Sequence, residues 1–227
     1  MKSTTSLPRR ALAVLATALI ASGLVVAGIA AYKVVDPQAP ARQHALQQQL
    51  ITSWQAAPRP AAPRPAAPRP AVSSPPVVQV RTGQPFALLR IPALGRNWKF
   101  AVVEGTSLAQ LSTGPGHVTG TQLPGQAGNF AVAAHDITAG NPFLHLKSLK
   151  SGDAVYVTTR HATYTYRVTG EKVVRYTQVS VLAPVPGSPG KPATSARITL
   201  ITCTPVTLAF TPWRVIVTGV LVSTQAR

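Results

Sequence analysis

Hydrophobic positions along the chain fall into three unlike arrangements. From Ala11 to Ala31 they form one uncharged block. From Ala56 to Pro76 they dissolve into alanine and proline with neither a helical nor a strand period. Beyond Gln84 they return as short runs broken by glycine, proline and threonine, the pattern of buried or half-buried strands. "PFALLRIPALG" and "KFAVVEG" read as successive strands, the second stopped by Gly105. "SLAQL" predicts one or two helical turns before a Gly/Pro-rich loop from Gly114 to Gly128. "NFAVAAH" is a buried strand, and "NPFLHLKSL" predicts a short helix with Asn141 as N-cap and Pro142 at the first helical position. "DAVYVTTR" and "TYTYRVTG" alternate about a tight His161-Ala162 turn and predict a hairpin. "EKVVRYT" and "VSVLAP" read as further strands, followed by a long loop and a final pair, "ARITLITC" and "RVIVTGV". About eight short strands with few helices predict an all-β domain, a closed or nearly closed barrel.

The first block changes the picture of where this domain works. Residues 11–31 are long enough to cross a bilayer as a helix, which takes about 20 residues. A cleavable signal peptide is the competing reading, but its apolar core usually runs only about 7–15 residues. Lys2, Arg9 and Arg10 precede the block, so the excess of positive charge keeps the N-terminus in the cytoplasm and exports everything after Lys33. The expected organisation is a cytoplasmic N-terminus at 1–10, a signal anchor in the plasma membrane at 11–31, an extracytoplasmic linker at 32–83 and a folded domain at 84–227. The linker repeats "AAPRP" three times to Pro70, and proline at that density favours an extended, stiff spacer. Residues 41–50 predict a short helix with little potential to join a core. On this reading a chain starting near Val77 folds by itself.

A formal charge of +17 raises the question of nucleic acid. Many of the basic residues lie in the anchor flank and linker, and the rest are scattered among strands without a basic helix interleaved with aromatics. An exported domain meets anionic wall polymer and lipid instead, so no nucleic-acid partner is expected.

Cysteine occurs once, as Cys203 at the end of a strand. In an oxidising compartment an unpaired cysteine is either an inert buried hydrophobe, a reactive thiol or half of an intermolecular bridge. A catalytic thiol also requires a proton carrier and a donor for a developing oxyanion. Of the five histidines, His44 belongs to the tether, and His145 and His161 read as solvent-facing. His135 ends an apolar strand much as Cys203 does, and Arg214 opens the strand after it. Two strand ends converging on one rim bring thiol, imidazole and guanidinium together.

"TLITC" at 199–203, "NFAVAAHD" at 129–136 and Arg214 eleven positions after the cysteine resemble the sortases, membrane-anchored cysteine transpeptidases of Gram-positive bacteria. "LLRIPALG", "VVEGT", "GPGHVTGTQLPGQAGN" and "TYTYRVTGEKVV" are most similar to the actinobacterial class E branch, with class D next. The resemblance implies an eight-stranded sortase barrel. It implies that Cys203 attacks a Thr-Gly bond in the C-terminal sorting signal of a secreted protein, with His135 as acid and base. Arg214 is implied as oxyanion and substrate donor. The thioester is then resolved by the amine of a peptidoglycan precursor of lipid II type, and the class E signal is Leu-Ala-x-Thr-Gly. No cofactor is implied.

Four further residues are candidate substrate contacts: Thr202 beside the cysteine, His117 in the "GPGH" loop, and Tyr164 and Tyr166, which alternate on one strand face and read equally as cross-strand packing. Two features depart from the family pattern. Ala134 precedes the histidine where glycine is expected, and Asp136 follows it. The carboxylate either raises the basicity of His135 or, by strand alternation, points away. "TPVTLAFTPWR" after the cysteine is also unusually apolar. With five acidic residues in all, a metal site is not expected, since calcium takes 6–8 oxygen ligands. Two rivals remain. The Ser-x-Gly-Cys-x-Arg signature of L,D-transpeptidases is absent, and a non-catalytic tethered wall- or lipid-binding module leaves the placement of Cys203, His135 and Arg214 unexplained.

Overall fold

A computed structural model describes residues 37–56, 80–205 and 210–227. The expected cytoplasmic segment, the anchor at 11–31 and the proline repeat from residue 57 onward lie outside them. Among the described residues no helix is long and apolar enough to cross a membrane.

Helix α1 (Ala39–Ala56) is followed by β1 (Pro85–Arg90), β2 (Lys99–Glu104), the one-turn α2 (Leu108–Leu111), β3 (Gly116–His117), β4 (Gly128–Ala133), β5 (Ala154–Thr158), β6 (Ala162–Arg175), β7 (Ala196–Thr204) and β8 (Trp213–Ala226). The eight strands close a barrel in the order β1-β2-β3-β4-β7-β8-β6-β5. Most neighbours are antiparallel; β2 with β3 and β4 with β7 are parallel. Closure removes most of the edges that an open sheet of this size would expose, though β3 covers only the last two residues of β2.

Strand alternation fills the interior. Phe130 and Val132 of β4, Ile198 and Leu200 of β7, and Val215 and Val217 of β8 all belong to one buried cluster. A smaller cluster on the outer face, Val174, Val181 and Ile216 with Ile201 against it, lies under the connection from β6 to β7. The described residues from Gln38 onward form one compact unit that includes α1.

Several expected elements differ. "NPFLHLKSL" is not an α-helix: only Leu146–Ser148 form a 3₁₀ turn, and Asn141 has φ of 56°, outside the extended region an N-cap needs. Phe143, Leu146 and Leu149 are buried at a spacing of three, which is the 3₁₀ period and not the α period. "VSVLAP" gives a 3₁₀ turn at Val179–Leu182 instead of a strand. "EKVVRYT" continues "TYTYRVTG" as the single strand β6, whose register shifts between Val168 and Gly170. The expected hairpin of β5 and β6 is present, with Thr158 opposite Thr163. The helix foreseen at 41–50 extends over 39–56 and packs on β1 and β2, burying Ala39, Gln43 and Leu50.

Gly116 shows how tight the barrel is at β3. A Cβ there would run into the carbonyl oxygen of Gly105 and lie 3.3 Å from Leu111. Gly116→Ala should therefore destabilise the domain by about 1–3 kcal/mol, the usual cost of overpacking. Gly170→Ala, with nothing within 4 Å of the added methyl, should leave the melting temperature nearly unchanged. Thermal unfolding of the two variants checks this; equal behaviour would show that β3 can move aside.

Candidate active site

β4 and β7 run parallel, with Phe130 beside Ile198 and Ala133 beside Ile201, so both strands end at one rim. The pairing persists one residue further, where the N–H of Ala134 donates to the Ile201 carbonyl at 3.1 Å. β8 returns antiparallel and sets Arg214 directly opposite Cys203. Alternation fixes the faces. Ile198, Leu200 and Thr202 point inward, so Cys203 points outward, and its cross-strand partner Arg214 shares that face. On β4, Phe130 and Val132 point inward, and Ala134 just past the strand joins the same core, while His135 after it is partly exposed. Cys203 and Arg214 therefore share one outer face, and His135 follows the end of the neighbouring strand at the same rim.

Each member is partly exposed. Arg214 is braced by its Nη1, which donates to the Thr211 carbonyl at 2.7 Å and to the Trp213 carbonyl at 2.8 Å. Both bonds use one nitrogen, and among the described residues Nε and Nη2 take no partner and can meet an incoming oxygen. Thr211 is itself buried and its hydroxyl donates to the Thr204 carbonyl, closing the base of the loop after Cys203. Around the rim, Tyr176 meets Phe210 edge to face, the Arg175 guanidinium lies over the Trp213 ring at 5.1 Å, and that of Arg214 lies 6.0 Å from the Tyr176 ring. Phe210 and Trp213 come from the stretch whose apolar character departs from the family pattern.

Burial pushes the Cys203 thiol above its ordinary value; the Arg214 cation pulls it down and Asp136 pushes it further up. Burial lowers the basicity of His135, and Asp136 opposes that shift without overcoming it. The resting pair is therefore neutral thiol and neutral imidazole at pH 7. Asp136 is buried; its Oδ1 accepts the Ile137 N–H at 3.0 Å, while Oδ2 has no partner among the described residues. Burial raises its carboxyl pKa, against the pull of its backbone hydrogen bonds, His135 and Arg214. The carboxylate is buried but does not turn away from the site, as strand alternation would have it: beyond the end of β4 that alternation no longer holds, and its charge bears on His135, Cys203 and Arg214.

The other candidates have structural employment. The Thr202 hydroxyl donates to the Ala134 carbonyl at 2.8 Å and locks β7 to the end of β4. Tyr166 is fully buried and its oxygen accepts the Gly125 N–H at 2.9 Å, so it is a core residue and not a groove residue. That burial pushes its phenol well above the ordinary value. Tyr164 is half-buried and lays its ring on Gly125, where a Cβ would overlap it. His117 lies in a strand and not in a loop. It is buried, with Nδ1 2.6 Å from Glu104 Oε2 and Nε2 2.9 Å from Thr121 Oγ1. Thr119 donates to the other Glu104 oxygen at 2.8 Å. His44, His145 and His161 are exposed. Among the described residues, no three His, Cys, Asp or Glu side chains gather as a metal site. Sequence reasoning missed the bracing role of Thr211; its only sequence signal is a hydroxyl three residues before Arg214.

Residues 89–222 match a family described as the sortase domain. Sortase SrtE1 of Streptomyces coelicolor is 38% identical over 154 residues, which are 64% of this chain and 42% of that protein. The match thus spans less than half of that relative's length. The structure of sortase E from Streptomyces avermitilis is similar with a TM-score of 0.58 and 40% identity, over 64% of this chain and 93% of that one. Sortase E1 from Streptomyces coelicolor, solved with a tripeptide in the active site, gives a TM-score of 0.57 and 33% identity over 66% and 94% of the two chains.

The electrostatics predict how Cys203 reacts. Alkylation of the resting thiol should rise with pH through the alkaline range, with a midpoint above that of a free thiol. Arg214→Gln should move that midpoint further up, because a stabilising cation is lost. Asp136→Asn should move it down, because an opposing carboxylate is lost. Stopped-flow alkylation with iodoacetamide across pH reads all three, and shifts of the same sign in both variants would refute the assignment.

Proposed function

The chain belongs to the sortase family and is of class E type, and from that premise we propose that it is a membrane-anchored cysteine transpeptidase. The observation that carries the reading is the placement of Cys203 directly opposite Arg214 on the outer face, with His135 closing the parallel neighbour strand. A peptide substrate is supported by the tripeptide held in the active site of sortase E1 from Streptomyces coelicolor.

The chemistry follows from the protonation states. Cys203 passes its proton to His135, and the thiolate attacks the threonine carbonyl of a Thr-Gly bond in a C-terminal sorting signal. Arg214 receives the tetrahedral oxyanion through the donors its backbone contacts leave free. The C–N bond breaks as the imidazolium of His135 protonates the departing glycine amine, leaving a thioester. An amine of a peptidoglycan precursor then attacks, gives its proton to His135 and displaces the thiolate. The product is a secreted protein joined to the wall. Segment 11–31 anchors the enzyme in the plasma membrane, with the catalytic domain outside.

Cys203→Ala and His135→Ala should each abolish transfer of a fluorogenic sorting peptide to an amine. Arg214→Ala should reduce kcat about 10²–10³-fold, the typical loss for one oxyanion donor. Near-normal turnover in any variant removes that residue from the mechanism.

Specificity offers a separate test. A groove that bonds the backbone N–H at the second signal position accepts alanine and rejects proline, which lacks that donor. In a competition at equal concentration, the Leu-Ala-x-Thr-Gly peptide should be consumed faster than Leu-Pro-x-Thr-Gly. The reverse order would detach the class E likeness from class E specificity.

A further inference from the structure

Helix α1 does more than continue the tether. β3 is two residues long and pairs with β2 only at Val103 and Glu104, so the edge of β2 at Lys99–Ala101 faces no strand on that side. α1 covers that edge. Oε1 of the buried Gln43 accepts the Ala101 N–H at 3.0 Å, its Nε2 donates to the Thr113 carbonyl, and Gln47 one turn on donates to the Lys99 carbonyl at 3.3 Å. Gly114 leaves the space that the Gln43 amide fills.

The start of the same helix reaches the loop that carries His135. Ala39 is buried against Gly140, where an added Cβ would lie 3.1 Å from the Ala39 Cβ. Gly140 is the middle of three successive left-handed residues: Ala139 at φ 55°, Gly140 at 81° and Asn141 at 56°. Residues other than glycine adopt that region at a cost, and a turn of this kind persists only when its surroundings over-determine it. Two further contacts do so. The Trp98 indole N–H donates to the Pro142 carbonyl at 3.0 Å, and its ring stacks on Phe143 at an interplanar angle of 9°. The Phe143 N–H in turn donates to the His135 carbonyl at 3.0 Å.

We propose that α1 and Trp98 position His135: Ala39 props the left-handed turn from one side, Trp98 holds its exit, and the histidine is set by both. The segment between membrane and barrel is thus part of the catalytic geometry, and Trp98 and Ala39 are positioning residues acting through the 139–143 turn. The activity readout rests on the transpeptidase reading above.

The test uses the full-length chain in detergent with three substitutions. Trp98→Phe keeps the stack on Phe143 and loses only the N–H to Pro142. Ala39→Leu forces bulk against Gly140. Gly170→Ala, on β6 with nothing within 4 Å of the added methyl, is the control. Three quantities are read: peptide kcat and KM, the melting temperature, and the titration of the His135 imidazole by NMR of histidine-labelled protein. The charged and titratable groups coupled to that ring are Asp136 on its own loop and, through Asp136 and Cys203, the thiol on β7 and Arg214 on β8.

Trp98→Phe and Ala39→Leu should lower kcat on the order of 10–100-fold with KM little changed, since small misplacements of a catalytic group have such effects. The His135 titration should move up, because a loosened ring gains solvent. Gly170→Ala should alter neither. Unchanged kcat and unchanged titration in Trp98→Phe overturn the proposal, whatever happens to the melting temperature, as does a moved titration with full kcat. If the wild-type chain turns over no sorting peptide, the transpeptidase reading fails, and the titration alone still decides whether Trp98 and Ala39 set His135.

Discussion

The site depends on the parallel pairing of β4 with β7. Antiparallel neighbours would have put the ends of these strands on opposite rims, with His135 and Cys203 a strand's length apart. Parallel pairing brings both ends to one rim, and alternation then turns Cys203 to the outer face that Arg214 shares. The Thr202 hydroxyl on the Ala134 carbonyl fixes the last step of that register. A one-residue slip would turn the cysteine into the core.

Buried polar groups reinforce the same two strands. Asn129, fully buried on β4, receives the Thr199 hydroxyl of β7 at 2.8 Å and donates to the Val181 carbonyl at 3.1 Å, tying the outer face to the 3₁₀ turn before β7. At the short strand β3, Glu104 and His117 satisfy each other and two threonines. An unpaired charge buried there would be strongly destabilising, so the polar groups at this junction stand or fall together. Asp136 differs: one of its oxygens lacks a partner among the described residues, and it sits within electrostatic reach of thiol, imidazole and guanidinium at once.

Most strands, and the placement of Cys203, His135 and Arg214 at or just past strand ends, were legible because they rest on local signals: a period of two, glycine and proline breaks, and polar residues where apolar runs stop. What the sequence hid depended on tertiary context. Asn141-Pro142 carries a sound helix-start signal, but the chain there takes a left-handed turn and then a 3₁₀ period. "VSVLAP" is apolar enough for a strand, yet it lies across the outside of the barrel and buries Val181 on Val174 and Ile216. Tyr164 and Tyr166 alternate as expected, but the residue two positions on was taken into the core by a single N–H from Gly125. α1 has almost no amphipathic pattern, because two glutamines and an alanine, not a hydrophobic stripe, make its key contacts.

The three tryptophans of the chain happen to mark three different parts of this machinery. Trp54 near the end of α1 lies 5.0 Å from the Arg227 guanidinium, Trp98 stands behind the His135 turn, and Trp213 is 39% exposed on the rim beside Arg175. Their indoles sit in distinct surroundings, against a C-terminal cation, inside an aromatic stack and at a wetted edge. The molecule therefore carries its own optical labels: emission from single-tryptophan versions separates docking of the tether helix, order in the histidine turn and occupancy of the rim, with no dye attached.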